Sequence, residues 1–272
     1  MADVSIYWFR DDLRLTDLPG LAAAAQAGPV IPVFVRDPDL GDTWRIGSAS
    51  QWWLHHSLLS LFTRLAETGL DLILKSGETV AALTTLAEQT GATTVYCSRH
   101  YQPWSAGLET TLRERLSNQG VELKRYPGTL LHEPEDVATG GGTPFKVFTP
   151  FWRACNRRPD PHQPLPAPEL TAYDGKIESE ELSDWQLLPT SPNWASGWND
   201  LWSPGEAGAQ AALNQFLDQH VQDYGDGRDV PAEPNTSKLS PYLRFGNISP
   251  RQVWHAAQQS KIAQPGAAGS ND

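Results

Sequence analysis

The sequence predicts an α/β fold: a doubly wound, parallel, five-stranded sheet with helices on both faces, then a long connector and the first helices of an incomplete all-α domain. Two observations point there. Up to about residue 130, short apolar or β-branched runs alternate with helical stretches. Three successive helical stretches also end on glycine just before the next run, at Gly69, Gly91 and Gly120. Such an alternation makes the strands parallel and covers both sheet faces, because each crossover helix must lie on one of them.

The five strand-length runs are Val4–Phe9, Val30–Val35, Leu70–Leu74, Thr94–Cys97 and Val121–Arg125. Leu18–Gln26 between the first two is alanine-rich and reads as helix. Ser50–Thr68 spaces Trp53, Leu54, Leu58, Leu61 and Leu65 by threes and fours, which gives one apolar face. Trp52 and Trp53 project about 100° apart on that helix, so at most one is expected at the centre of the core. Thr79–Thr90 and Ala106–Gln119 complete the α/β unit, assigned to residues 1–133.

From Pro134 the texture changes. Residues 134–207 read as a connector; its part from 156 onward is rich in proline, lacks a sustained period and carries Trp185, Trp194, Trp198 and Trp202. Four such rings predict a connector draped over a folded surface, and the tryptophans generally read as packing residues. Helical spacing resumes at Gly208 with Ala212, Leu213, Phe216, Leu217 and His220, so residues 208–272 open a second, helical domain. The string KIAQPGAAGSND after the helix Ser249–Gln259 brings no closing element, and this domain is expected to be truncated.

Composition narrows function. A 39% hydrophobic and 10% aromatic content with 11 Trp excludes disorder, and a net charge of −11 repels a phosphate backbone at long range. Two cysteines, Cys97 and Cys155, make neither a disulfide framework nor a zinc site and fit a reducing compartment. No apolar run reaches the roughly 18 residues of a membrane span, and a cytoplasmic protein is expected. His55, His56, His100 and His132 show no ligand spacing, so no metal is assigned. There is no Walker loop, and Gly140–Gly142 opens no helix, which argues against ordinary nucleotide hydrolysis and nicotinamide chemistry. Ligands of a doubly wound sheet lie beyond the carboxyl ends of its strands, here Arg10–Asp17, Arg36–Trp44 and Ser98–Trp104.

Three segments carry more. They are WFRDDLRLTD (Trp8–Asp17), GTPFKVFTPFWRAC (Gly142–Cys155) and YGDGRDVPAEPNTSKLSPYLRFGNISPRQVW (Tyr224–Trp254). Within the third, Thr236–Pro241 joins three hydroxyls to a helix start, chemistry that suits a pyrophosphate; a plain N-cap at Ser237 or Ser240 accounts for the same residues.

In this order the three segments resemble the photolyase and cryptochrome family over about 250 residues. The resemblance implies a light-driven DNA repair enzyme in which reduced flavin adenine dinucleotide (FAD) passes an electron to a flipped-out pyrimidine dimer. It implies damaged DNA as partner, no membrane, a monomer, and a second, antenna chromophore on the sheet domain. Tyr224, Thr236, Ser237, Leu239 and Ser240 match the family's flavin-phosphate positions, with Lys238 where arginine is frequent; Arg228 and Asp229 match its RD pair. Arg10, Asp11 and Arg36 are the candidates to touch an antenna. Leu18 replaces a usual asparagine, and Trp104 and Ser105 stand where folate-binding members carry Asn and Glu, so a deazaflavin, a flavin or no antenna is expected ahead of a folate. No catalytic residue is assigned. The family's flavin-ring pocket, relay tryptophans and most of its lesion groove lie C-terminal to this region, so the chain alone is expected to be inactive. A cryptochrome-like photoreceptor and a stand-alone chromophore-binding module are the alternatives.

Overall fold

The computed structural model describes residues 3–38 and 45–263. The strands β1 (Ser5–Phe9), β2 (Val30–Arg36), β3 (Ile73–Ser76), β4 (Thr94–Ser98) and β5 (Glu122–Tyr126) form one sheet in the order β3-β2-β1-β4-β5, parallel throughout. The helices α1 (Pro19–Ala27), α2 (Ser48–Ala66), α3 (Thr79–Thr90) and α4 (Ser105–Ser117) cross between them. Alternation along β1 shows why both faces fill. Ile6 and Trp8 join Leu83, Leu86, Leu112 and Leu116 of α3 and α4, while Tyr7 and Phe9 join Leu21, Trp53, Leu58 and Leu65 of α1 and α2.

The three glycine stops share one geometry. Gly69, Gly91 and Gly120 hold φ of +79°, +65° and +75°. In each case the next residue's N–H returns to a carbonyl five positions back, Leu70 to Leu65, Ala92 to Ala87 and Val121 to Leu116. That reversal delays the third strand: β3 starts at Ile73, not Leu70, although Leu70 and Leu72 remain buried in the core.

The expectation for the tryptophan pair needs correction. Trp52 and Trp53 are both buried, at 2% and 5% exposure. Helix α2 is covered on two sides, not one: the sheet lies under it, and the connector and later helices close over it. Trp198 meets Trp52 at 5.2 Å between ring centroids, and Trp202 and Tyr242 meet Trp53 at 5.4 and 4.9 Å. The connector is draped as its rings require. Trp185 packs on Phe34 of β2 at 6.0 Å and donates its indole N–H to Glu180 at 2.7 Å, while Trp194 leans on Trp198 at 5.0 Å.

Beyond the sheet lie α5 (Phe148–Asn156), α6 (Glu206–Gln219), α7 (Tyr224–Gly227), α8 (Ser240–Arg244) and α9 (Pro250–Ala263). Leu213 and Leu217 of α6, Tyr242 of α8, and Phe245 and Ile248 after it extend the apolar cluster that already contains α1 and α2. Among the described residues no group of side chains could hold a metal ion, and no helix is long and apolar enough to cross a membrane.

Candidate functional site

The loop after β1 buries four charged residues, Arg10, Asp12, Arg14 and Asp17, at 8%, 0%, 1% and 0% exposure. Buried charge is tolerated only when neutralised or hydrogen-bonded: all four make hydrogen bonds, and Arg10 and Asp17 also pair with Glu109 and Arg251. Arg10 donates to Glu109 of α4 at 2.7 Å and to the Ser98 carbonyl, and its guanidinium lies 4.4 Å from the Trp8 ring. Burial works to raise the Glu109 carboxyl, but Arg10 and Arg125 outweigh it and hold the group below the usual carboxylate range. Asp12 accepts from the Arg10 N–H at 2.7 Å, the Tyr7 hydroxyl at 2.8 Å and the Ser98 hydroxyl at 2.6 Å. Burial and the Asp12 charge together push the Tyr7 phenol well above its ordinary value.

Arg10 and Asp11 thus meet at the carboxyl ends of β1 and β4, where the strand order reverses. The Asp11 carboxylate pairs with His100 at 2.9 Å, accepts from Gln102 at 3.1 Å and bridges to Arg244 of α8 at 2.7 Å. Burial would raise Asp11; His100 and Arg244 reverse the sign and lower it. Arg36, at the end of β2, faces the connector instead, donating to the Trp185 carbonyl at 3.0 Å. Residues 39–44 of the segment Arg36–Trp44 lie outside the described residues.

The second cluster is Tyr224 with residues 236–240. Tyr224 opens α7, is 40% exposed, and packs edge-on against Phe216 with Arg228 near its ring face. α7 is held against the following segment because Gly227 has no side chain; a Cβ there would lie 2.3 Å from Asn235 Nδ2. Thr236, Lys238 and Ser240 are exposed, and Lys238 adopts φ +52°, the left-handed region. Leu239 then turns inward to 3% exposure and anchors the segment in the core.

Helix α8 does start at Ser240, but its N-cap is Leu239 and no side chain caps it; the Ser237 hydroxyl accepts only from the Leu239 N–H, at 3.4 Å. Neither serine is therefore spent on capping. Among the described residues nothing bonds the Thr236 or Ser240 hydroxyl, or the backbone N–H groups of 236, 237, 238 and 240. The result is an exposed strip of hydroxyl and amide donors beside one ammonium, with no carboxylate between 234 and 240. Such a strip is suited to an anion, phosphate above all.

Sequence reasoning missed the junction that joins the two clusters. Arg14 donates to the carbonyls of Gly246 at 2.9 Å, Gly128 at 2.7 Å and Asp17 at 3.1 Å. Asp17 pairs with Arg251 at 2.9 Å and accepts from the Ser249 hydroxyl. Glu206 of α6 takes the N–H groups of Leu15 and Thr16, both at 3.0 Å. Asn247 accepts from Trp53 Nε1 at 3.0 Å and Ser57 Oγ at 3.2 Å and donates to the Leu13 carbonyl at 3.2 Å. The available signal was the charge density of RDDLRLTD, which surface ion pairs would have explained equally well.

Fold and site together define a chain in which a parallel α/β domain is locked onto a helical segment that presents an exposed strip of hydroxyl and amide donors. The DNA photolyase family profile matches residues 5–169, more than half of the sequence, and the chain belongs to that family. It is 46% identical over 255 residues to the deoxyribodipyrimidine photo-lyase of Agrobacterium fabrum, covering 93% of this chain and 53% of the relative. It is 34% identical over 281 residues to cryptochrome-2 of Arabidopsis thaliana, covering 95% of this chain and 43% of the relative. The crystal structure of a bacterial class III photolyase from Agrobacterium tumefaciens superposes with a TM-score of 0.89 at 44% identity, over 94% of this chain and 53% of that one. The chain therefore spans about half the length of the relatives it matches.

Proposed function

We propose that this chain forms the α/β part and the flavin-phosphate segment of a deoxyribodipyrimidine photolyase, which splits pyrimidine dimers in damaged DNA under light. The observation that carries the reading is the exposed strip at 236–240, whose donors are unspent among the described residues and whose own segment holds no carboxylate. Bound FAD would supply the excited electron donor. The Thr236 and Ser240 hydroxyls and the free amides of Ser237 and Lys238 would donate to its phosphate oxygens, and the Lys238 ammonium would offset their charge. Tyr224 would line the same site from α7, and Leu239 anchors the strip by burial. The greater identity to a photolyase than to a cryptochrome favours repair over signalling.

On this reading the protein works in the cytoplasm as a monomer, and of the three antenna candidates Asp11 is the one left beside any such chromophore, Arg10 being buried against Glu109 and Arg36 turned to the connector. A deazaflavin or flavin suits that place better than a folate, because Trp104 and Ser105 stand where folate-binding members carry Asn and Glu. The test is to express the complete protein encoded by the gene carrying this sequence, then measure its flavin content and the light-dependent loss of dimers from an ultraviolet-irradiated oligonucleotide. Stoichiometric FAD with light-dependent repair is expected. FAD without repair would turn the assignment to a photoreceptor, and absence of FAD would overturn the phosphate reading itself.

A further inference from the structure

We propose that Arg14 and Asn247 are positioning residues for the flavin phosphates: the loop after β1 holds the base of the 236–240 strip and so sets where its donors point. The inference rests on the reading of that strip as a phosphate site. Its basis is the absence of slack between the strip and the junction. Leu239 is buried, the Leu243 N–H bonds back to Leu239, the Phe245 N–H to Pro241 and the Asn247 N–H to Tyr242. Tyr242 itself lies edge-on against Trp53 at 4.9 Å. Leu239, Pro241, Tyr242, Leu243, Phe245 and Asn247 are thus each fixed to a neighbour or to α2, and Arg244 is bridged to Asp11.

The fixed end is held by the sheet domain. The Leu13 N–H reaches the Phe245 carbonyl at 3.1 Å, Arg14 reaches the Gly246 carbonyl at 2.9 Å, and Asn247 reaches back to the Leu13 carbonyl at 3.2 Å. Gly246 makes this approach possible, with φ +63° and room for no Cβ against the Asp11 carbonyl. Arg14 is suited to the task because one planar fork can serve carbonyls from three separate segments at once, at Asp17, Gly128 and Gly246. A lysine keeps the charge but has no such fork. A shift of the base moves the phosphate donors and leaves any contact to the flavin ring, made elsewhere, in place.

The test compares affinities for FAD and for riboflavin, which lacks the phosphates, in the complete protein by quenching of flavin fluorescence. Arg14→Lys is expected to weaken FAD at least about tenfold while riboflavin changes less than about twofold. Trp53→Phe, which removes the indole N–H from Asn247 but keeps an aromatic ring on α2, is expected to move the same ratio by about three- to fivefold and serves if Arg14→Lys does not fold. Equal loss of both ligands would mean a merely structural role, and an unchanged ratio no role at all; either overturns the proposal. The double variant Thr236→Ala/Ser240→Ala separates the two levels. If it leaves the FAD-to-riboflavin ratio unchanged, the phosphate reading fails; if it lowers the ratio while Arg14→Lys and Trp53→Phe do not, only the positioning proposal fails.

Discussion

Replacing Gly246 by alanine tests the junction between sheet and helices directly. A Cβ at 246 would lie 2.1 Å from the Asp11 carbonyl oxygen and 2.4 Å from the Asp12 Cα, both backbone atoms with no rotamer to escape into. Relief requires the loop and the 245–247 turn to part by about 1 Å or more, from the distance a Cβ would have to the one ordinary contact allows. The three bonds across this gap, at 2.9 to 3.2 Å, would then exceed hydrogen-bonding range. Three buried bonds at roughly 1 kcal/mol each, with about 1 kcal/mol for a side chain held at positive φ, give a loss of about 4 kcal/mol. Gly69→Ala is the matched control, because Gly69 has φ +79° and nothing within 4 Å of its Cβ position. It should cost about 1 kcal/mol, the conformational part alone. At roughly 2 to 4 °C per kcal/mol, thermal unfolding followed by circular dichroism should place Gly246→Ala about 8 to 16 °C below the parent and Gly69→Ala about 2 to 4 °C below it. Two variants melting within about 2 °C of each other would refute the argument that close approach, and not backbone freedom, demands glycine at 246.

The remaining predictions concern other parts of the chain. Trp185→Ala should cost about 3 to 5 kcal/mol in urea unfolding, since a ring 4% exposed leaves a cavity against Phe34. Cys97 is fully buried and its thiol is pushed up to about 11 by burial, so native protein treated with iodoacetamide at pH 8 should be labelled at Cys155 and not at Cys97 by mass spectrometry. Asp11 and Glu109 titrate below their ordinary values in the folded state, against their own burial. A carboxylate depressed in this way adds stability above its unfolded pKa of about 4 and loses it as pH falls through the lower folded value. Urea midpoints should therefore hold steady from about pH 6 to 5 and fall below about pH 4, less steeply in Glu109→Gln than in the parent. The 272-residue chain by itself should release added FAD on desalting and leave dimers intact under light, because a phosphate strip supplies only part of the contact surface such a cofactor needs; a retained flavin spectrum would contradict this.

Local pattern determined most of the α/β half. Strand length, helical spacing and glycine stops are properties of a few consecutive residues, so a parallel sheet with two covered faces was legible, down to the limits of α3 at Thr79–Thr90. The hydroxyl-rich strip at 236–240 was legible for the same reason, since its chemistry sits in five adjacent residues. What only the tertiary structure decided depends on partners far apart in the chain. Arg14 meets Gly246 across 232 positions and Asn247 meets Trp53 across 194, and no periodicity encodes such pairs. Trp52 escaped the one-face rule because the connector returns over α2. The serines of the strip were shown to be unspent only when the backbone around Leu239 took its turn. Sequence specified the donors and the charges; folding decided which charges are consumed in holding two layers together and which donors are left facing outward.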